Sequence, residues 1–158
     1  MIRKKILLIG DFNVGKTSLI RRYVDNTFDD KYLTTIGVKI SKKLVEVDGE
    51  ECELLIWDIE GATELKKIPL AYMKGASGAI FVGDVARMET IEHIDKHIRT
   101  FLESNPNSKY VIAYNKADML SDAQLETFEC GEKTFFTSAK ENLNVDEMFK
   151  KLTSEMLT

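Results

Sequence analysis

Cysteine and proline are both scarce in this chain, with two of each among 158 residues. Cys52 and Cys130 lie far apart and fit no metal-ligand or disulfide spacing, so both are expected as reduced thiols. So few prolines, with 44% hydrophobic and 30% charged residues, exclude a fibrous or low-complexity chain. Long apolar runs are missing too: Ile6 to Ile9 and Gly78 to Val82 fall far short of the ~18–20 residues that cross a bilayer. The opening MIRKKILLIG lacks the length and small-residue cleavage site of a signal peptide. Ile2 does not suit myristoylation, and the closing SEMLT has no cysteine for prenylation. The expected setting is cytoplasmic, without an intrinsic membrane anchor. A basic excess is also absent, the net charge being −4, so nucleic acid is not an expected partner.

What is present is an alternation of short apolar runs and amphipathic stretches with no internal repeat or linker, expected as one domain over residues 1–158. Residues 3–9 predict a strand, and TSLIRRYV a helix after a glycine-bounded loop. VKISKKLVEV and ECELLIWD are joined by Asp48-Gly49, a strong hairpin signal because a type I′ turn needs positive φ at both central residues. The charge-rich stretch from Glu46 to Glu53 is then a solvated hairpin end. EGATELKKIPLAYMKGA has helical spacing broken by Pro69, which predicts an irregular helix. GAIFVGD is an inner strand, a helix follows from about Glu89 to Leu102, and YVIAYN, a short helix after Ser121, TFFTS and a helix from Val145 complete the order. Such alternation predicts an α/β fold with a six-stranded, mainly parallel sheet, one antiparallel strand and helices on both faces.

Gly10 to Thr17, GDFNVGKT, matches G-x-x-x-x-G-K-[ST] and sits between the first strand and the first helix, where the chemistry requires it. Glycines let the backbone wrap a polyphosphate with successive N–H groups inward. Lys16 adds positive charge at the β and γ phosphates, and Thr17 offers a hydroxyl to Mg²⁺. The helix contributes its positive N-terminal end. Asp11, Phe12, Asn13, Val14, Gly15, Lys16, Thr17 and Ser18 are therefore candidate nucleotide-binding residues.

ECELLIWD ends in Asp58, an acid at the C-terminal edge of the sheet, where open α/β folds bind ligands, and it suits a Mg²⁺-bound water. Gly61 has no Cβ to obstruct a backbone N–H approaching a γ-phosphate. NKAD after the strand YVIAY supplies Asn115, Lys116 and Asp118. The Asp118 carboxylate can accept from guanine N1–H and the exocyclic amino group, whereas adenine offers neither and would leave the acid unpaired. Lys116 can lay its stem over the base and Asn115 can tie the loop together. Ser138, Ala139 and Lys140 follow the strand TFFT, and a backbone N–H there can bind guanine O6.

With these elements in order the chain resembles the Ras superfamily of small GTPases over nearly its whole length, and TTIGV followed by LLIWD looks most like the Rab branch. The resemblance implies a P-loop NTPase fold of the G-domain type, GTP or GDP as ligand and Mg²⁺ as cofactor. It implies that Phe28 packs edge-on against guanine, that Tyr32 closes over the phosphates, and that Thr35 binds Mg²⁺ and the γ-phosphate. Residues 28–38 and 59–76 would be two switches, ordered by the γ-phosphate and metal and read by an effector or regulatory protein. The groups implied to carry hydrolysis are Lys16, Thr35 and Gly61; the implied metal set is Thr17, Thr35 and Asp58.

The chain departs from that pattern in places. Where relatives carry a water-orienting glutamine it has Ala62, and a methyl group cannot orient water. Phe12 stands where a small residue is common, near the space of the γ-phosphate and of an arginine supplied in trans, a contact worth roughly 10³–10⁵ in rate. Slow hydrolysis is the expectation. His93 and His97 have the i, i+4 spacing of a metal face but no evident third ligand, and are expected as surface or packing residues. Leu70, Tyr72 and Met73 form either an exposed effector patch or packing beneath the second switch. Two functions stay open: a slowly hydrolysing GTP switch, and a guanine-nucleotide-binding scaffold without meaningful hydrolysis. An ATP-driven enzyme is opposed by NKAD.

Overall fold

The most apolar uninterrupted run, GAIFVGD, becomes the strand buried on both faces, and the sheet assembles around it and its neighbour. In the computed structural model, which describes residues 1–29, 37–59 and 68–158, β1 (Ile2–Gly10) lies between β3 (Glu50–Ile59) and β4 (Gly78–Asp84), parallel to both. β5 (Lys109–Asn115) and β6 (Thr134–Phe136) extend the parallel part. β2 (Val38–Val47) is the one antiparallel strand, at the opposite edge, so the six-stranded order is β2-β3-β1-β4-β5-β6. The β2–β3 hairpin closes through Asp48 at φ 54° and Gly49 at φ 80°, the two positive angles that the Asp-Gly pair anticipates.

Six α-helices surround the sheet among the described residues: α1 (Lys16–Asp25), α2 (Leu70–Met73), α3 (Met88–Glu92), α4 (Ile94–Ser104), α5 (Asp122–Leu125) and α6 (Val145–Leu157). Side chains alternate across a strand, and β1 shows the consequence. Ile6 and Leu8 join a core with Leu19 and Ile20 of α1 and Met148, Phe149 and Leu152 of α6. Leu7 and Ile9 point the other way, into a core with Phe81, Ile94 and Phe101. Helices thus cover both faces, and because β1, β3, β4 and β5 run parallel their C-terminal ends share one edge of the sheet.

Two helical expectations are refined. The single helix expected over 89–102 is two, meeting at His93. The first turn is tied to the end of β4 instead of only to its own continuation: Thr90 Oγ1 donates to the Arg87 carbonyl at 2.7 Å and accepts from the Asp84 N–H at 2.8 Å. The irregular helix expected around Pro69 lies partly outside the described residues; α2 starts immediately after that proline. Met73 is buried, Tyr72 packs partly buried on the core of the β1–α4 face, and Leu70 is exposed, which favours packing for most of that trio.

Candidate functional site

β1 ends at Gly10 and α1 begins at Lys16, so the loop between them turns sharply, with Asn13 at φ 63° and Gly15 at φ 98°. Gly15 is required twice over: its φ suits glycine, and a Cβ there would lie 2.4 Å from Asn115 Nδ2. No side chain of the N-cap residue closes the start of α1 and its first turn has no acid, so the helix supplies no carboxylate of its own to its positive end. Ser18 sits in that first turn.

Lys16 is only 7% exposed, and its ammonium donates to the carbonyls of Gly10 at 3.1 Å and Asp11 at 3.3 Å. Burial lowers it to about 8; the charges of Asp58 and Asp11 oppose that lowering, and Arg87 adds to it. A buried cation whose hydrogen bonds among the described residues go to carbonyl oxygens suits a phosphate anion. Beside it the Thr17 hydroxyl donates to Asp58 Oδ2 at 2.6 Å. Asp58 reaches this position because its strand runs parallel to β1, opposite Leu8. Hydroxyl and carboxylate oxygens at this separation are the hard donors that Mg²⁺ prefers. Among the described residues no group of three His, Cys, Asp or Glu could by itself hold a metal ion. That is no obstacle for Mg²⁺, which takes one or two protein oxygens with water and phosphate.

The NKAD loop is bound to the loop between β1 and α1 through two of its side chains. Asn115, 2% exposed, donates from Nδ2 to the Val14 carbonyl at 3.0 Å and accepts at Oδ1 from Thr137 Oγ1 at 3.0 Å. Lys116, at φ 62°, sends its ammonium to the Asn13 carbonyl at 3.0 Å and pairs with the buried Asp84 at 3.2 Å. Asp118 accepts from Ser138 Oγ at 2.7 Å, and Ser138 Oγ accepts in turn from the Glu141 N–H at 3.0 Å. Ser138 and Ala139 are buried, Lys140 is exposed, and Phe28 packs half-buried against the core of the α1–α6 face. The structure thus gathers the candidates from residues 11–18, 58, 115–118 and 138–140 at one edge of the sheet. Tyr32, Thr35 and Gly61, with Ala62, lie outside the described residues.

Several participants carried no motif. Arg22 on α1 donates to the carbonyls of Ala139 at 2.8 Å and Lys140 at 3.1 Å, which fixes the Ser138–Lys140 turn from below. Arg87 Nη2 donates to the Phe12 carbonyl at 2.7 Å, and Phe12 itself is 47% exposed. His93 and His97 are more than surface or packing residues: His93 Nδ1 lies 2.5 Å from Asp11 Oδ2 and His97 Nε2 lies 3.0 Å from Asp11 Oδ1. Their i, i+4 spacing was the available signal, but its partner sits more than eighty positions earlier. No helix among the described residues is long and apolar enough to cross a membrane.

Comparison with known proteins agrees with this geometry. The Ras family model matches residues 5–158. The chain is 35% identical to the Ras-related protein Rab-13 of Canis lupus familiaris, over 97% of this chain and 79% of that one. It is 38% identical to RAB1BV of Beta vulgaris, over 92% of this chain and 72% of the relative. It is 36% identical to Rab-1C of Dictyostelium discoideum, over 96% and 80%. A match of this extent, on a sheet of this order, makes the chain a member of the Ras family, Rab-like among the small GTPases that bind GTP and GDP and hydrolyse GTP.

Proposed function

We propose that residues 1–158 act as one guanine-nucleotide switch domain that holds GTP or GDP with Mg²⁺ and hydrolyses GTP slowly. The observation that carries this reading is the direct bracing of the two loops, Asn115 on Val14 and Lys116 on Asn13. It fixes the distance between the base-reading acid and the phosphate-binding cation, so one nucleotide can engage both.

In this reading the N–H groups of residues 13–18 and the Lys16 ammonium bind the phosphates. Thr17 and Asp58 hold Mg²⁺, the acid through water. Bound Mg²⁺ neutralises charge on the phosphate oxygens. Asp118 turns its carboxylate to guanine N1–H and the amino group, Lys116 covers one face of the base, and Phe28 meets its edge. Ser138 keeps Asp118 oriented while the Ala139 N–H, next to Lys140, binds O6. Tyr32, Thr35 and Gly61 complete the phosphate end by resemblance to the family. An effector or regulator would read residues 28–38 and 59–76.

Slow hydrolysis follows from Ala62, which cannot orient water as glutamine does, and from Phe12 at the tip of the loop. The exposed Phe12 ring also favours a second reading, a guanine-nucleotide-binding scaffold without meaningful hydrolysis. Single-turnover cleavage of radiolabelled GTP, after identification of the co-purifying nucleotide, separates them. Slow conversion to GDP, accelerated about tenfold or more in Ala62→Gln, supports the switch. GTP persisting in both proteins supports the scaffold, and no guanine nucleotide binding at all rejects both.

A further inference from the structure

Asp11 is the first residue past the Gly10 turn, and both oxygens of its carboxylate are engaged from the helical layer, Oδ2 by His93 Nδ1 and Oδ1 by His97 Nε2. Its backbone carbonyl meanwhile accepts from the Lys16 ammonium. One residue therefore connects the α3–α4 surface with the phosphate-binding cation. The two imidazoles are held relative to each other by the helix itself, since the His97 N–H donates to the His93 carbonyl at 3.1 Å. His97 has a side chain 15% exposed, while that of His93 is 53% exposed and within easy reach of solvent protons.

We propose that His93 and His97 are positioning residues for nucleotide retention: by gripping the Asp11 carboxylate they fix its carbonyl against Lys16, and the grip loosens as the imidazoles lose their protons. This rests on the guanine-nucleotide reading above. A hydrogen bond from an imidazolium to a carboxylate is charge-assisted at both ends and about twice as strong as a neutral one. Histidine is also the side chain whose charge changes between about pH 5 and about pH 8. Electrostatics act in the same direction, because positive imidazoles at the mouth of a polyphosphate site favour the anion. Among the described residues, the charged or titratable groups on the elements nearest the pair include Lys16 of α1, Asp84 at the end of β4, Arg87 of the turn after it, and Tyr72 of α2, which packs on α4. Glu89 and Lys96 lie one turn away on their own segment.

The test is release of a fluorescent GDP analogue from the Mg²⁺-loaded full chain, chased with excess GDP between about pH 5.5 and about pH 8. Three proteins are compared: wild type, His93→Ala with His97→Ala, and His93→Asn with His97→Gln. The asparagine amide reproduces the reach of Nδ1 and the glutamine amide that of Nε2, so the last pair keeps both donors without their titration. Titration of Lys16 and of the nucleotide phosphates is common to all three, so differences between the profiles belong to the imidazoles. Wild type is expected to release about tenfold more slowly at the acid end than at the basic end. The alanine pair should release fast at every pH, and the amide pair should keep only the shallower pH dependence common to all three proteins, near the basic-end rate of wild type. One pH profile shared by wild type and the alanine pair overturns the proposal. If the alanine pair does not fold, an amide pair with the wild-type slope overturns it equally. Failure of wild type to retain guanine nucleotide at any pH removes the underlying reading as well, whereas retained nucleotide with an unaltered profile removes this inference alone.

Discussion

The phosphate loop is held by two unlike halves. Its rear half, Asn13 and Val14, is braced by Lys116 and Asn115, and Asn115 and its second partner Thr137 are both buried. Its front half, Asp11 and Phe12, is braced by His93, His97 and Arg87 from the α3–α4 side, close to solvent. The rear brace joins the two loops that the proposed function assigns to one ligand, so in that reading it serves both base and phosphate and has few chemical alternatives. The front brace touches only the loop's entrance, where water can replace a lost partner, and many side chains can do that work. The contrast separates what binding a guanine nucleotide demands from what this chain adds to it.

The hardest way to break the rear half is through the ligand it serves. Asp118→Ala removes the acceptor proposed for guanine N1–H and the amino group, and a site built around such a pair discriminates strongly against a base lacking it. The preference for GTP over ATP, measured by competition, should fall roughly 10³-fold or more. Front-half substitutions should leave that ratio unchanged, and a comparable fall in Arg87→Ala would erase the distinction.

Lys16 lies where the halves meet. Burial lowers it to about 8 from its ordinary 10.5. Between those values the unfolded, nucleotide-free chain holds a proton that the folded chain has released. Stability therefore rises with pH across that window, by roughly 3 kcal/mol in all. Urea melts of the nucleotide-free protein at both ends of the window should show the rise in wild type and not in Lys16→Met. Bound phosphate should reverse the effect by favouring the charged form.

Asn115→Ala tests the rear brace as structure. It leaves the Val14 carbonyl and the Thr137 hydroxyl, both buried, without their partner, and should cost about 2–3 kcal/mol in denaturant melts without nucleotide. An equal loss from a front-half substitution would mean that the two braces do not differ in kind.

The same division explains what the sequence made legible. GDFNVGKT, Asp58 and NKAD announce themselves because their chemistry needs fixed residue types at short spacing, and Asp48-Gly49 because a local dihedral requirement selects it. The mainly parallel sheet with helices on both faces followed from the alternation of strands and helices, whereas the order of its strands came only with the structure. Arg22 beneath Ala139, Thr137 on Asn115, and the imidazoles on Asp11 depend on how helices dock against the sheet, and no local pattern encodes that. The break at His93 was hidden for a similar reason, since the Thr90 bonds to the end of β4 are tertiary. Residues 30–36 and 60–67, where Thr35, Gly61 and Ala62 fall, are outside the described residues, so the expectations there rest on the sequence alone.

Arg87→Ala should have the smallest effect, and its smallness is informative. The guanidinium donates to the carbonyl of Phe12, a residue already 47% exposed, so water can take its place, and the loss of stability should be about 0.5–1 kcal/mol. Asp84 keeps its ion pair with Lys116 and its bond from the Ala86 N–H, so no buried carboxylate is abandoned. What should change is electrostatic: the positive charge of Arg87 adds to the lowering of Lys16, behind burial and with less weight than the opposing charges of Asp58 and Asp11. Without it the Lys16 ammonium is held slightly higher, and the pH-dependent rise in stability should begin at slightly higher pH with a smaller amplitude. Melts of Arg87→Ala across the window used for Lys16→Met read both quantities. A shift in amplitude with nearly unchanged stability at neutral pH means that the front half acts on the loop's charge more than on its structure. A large loss at neutral pH would put Arg87 in the same class as Asn115.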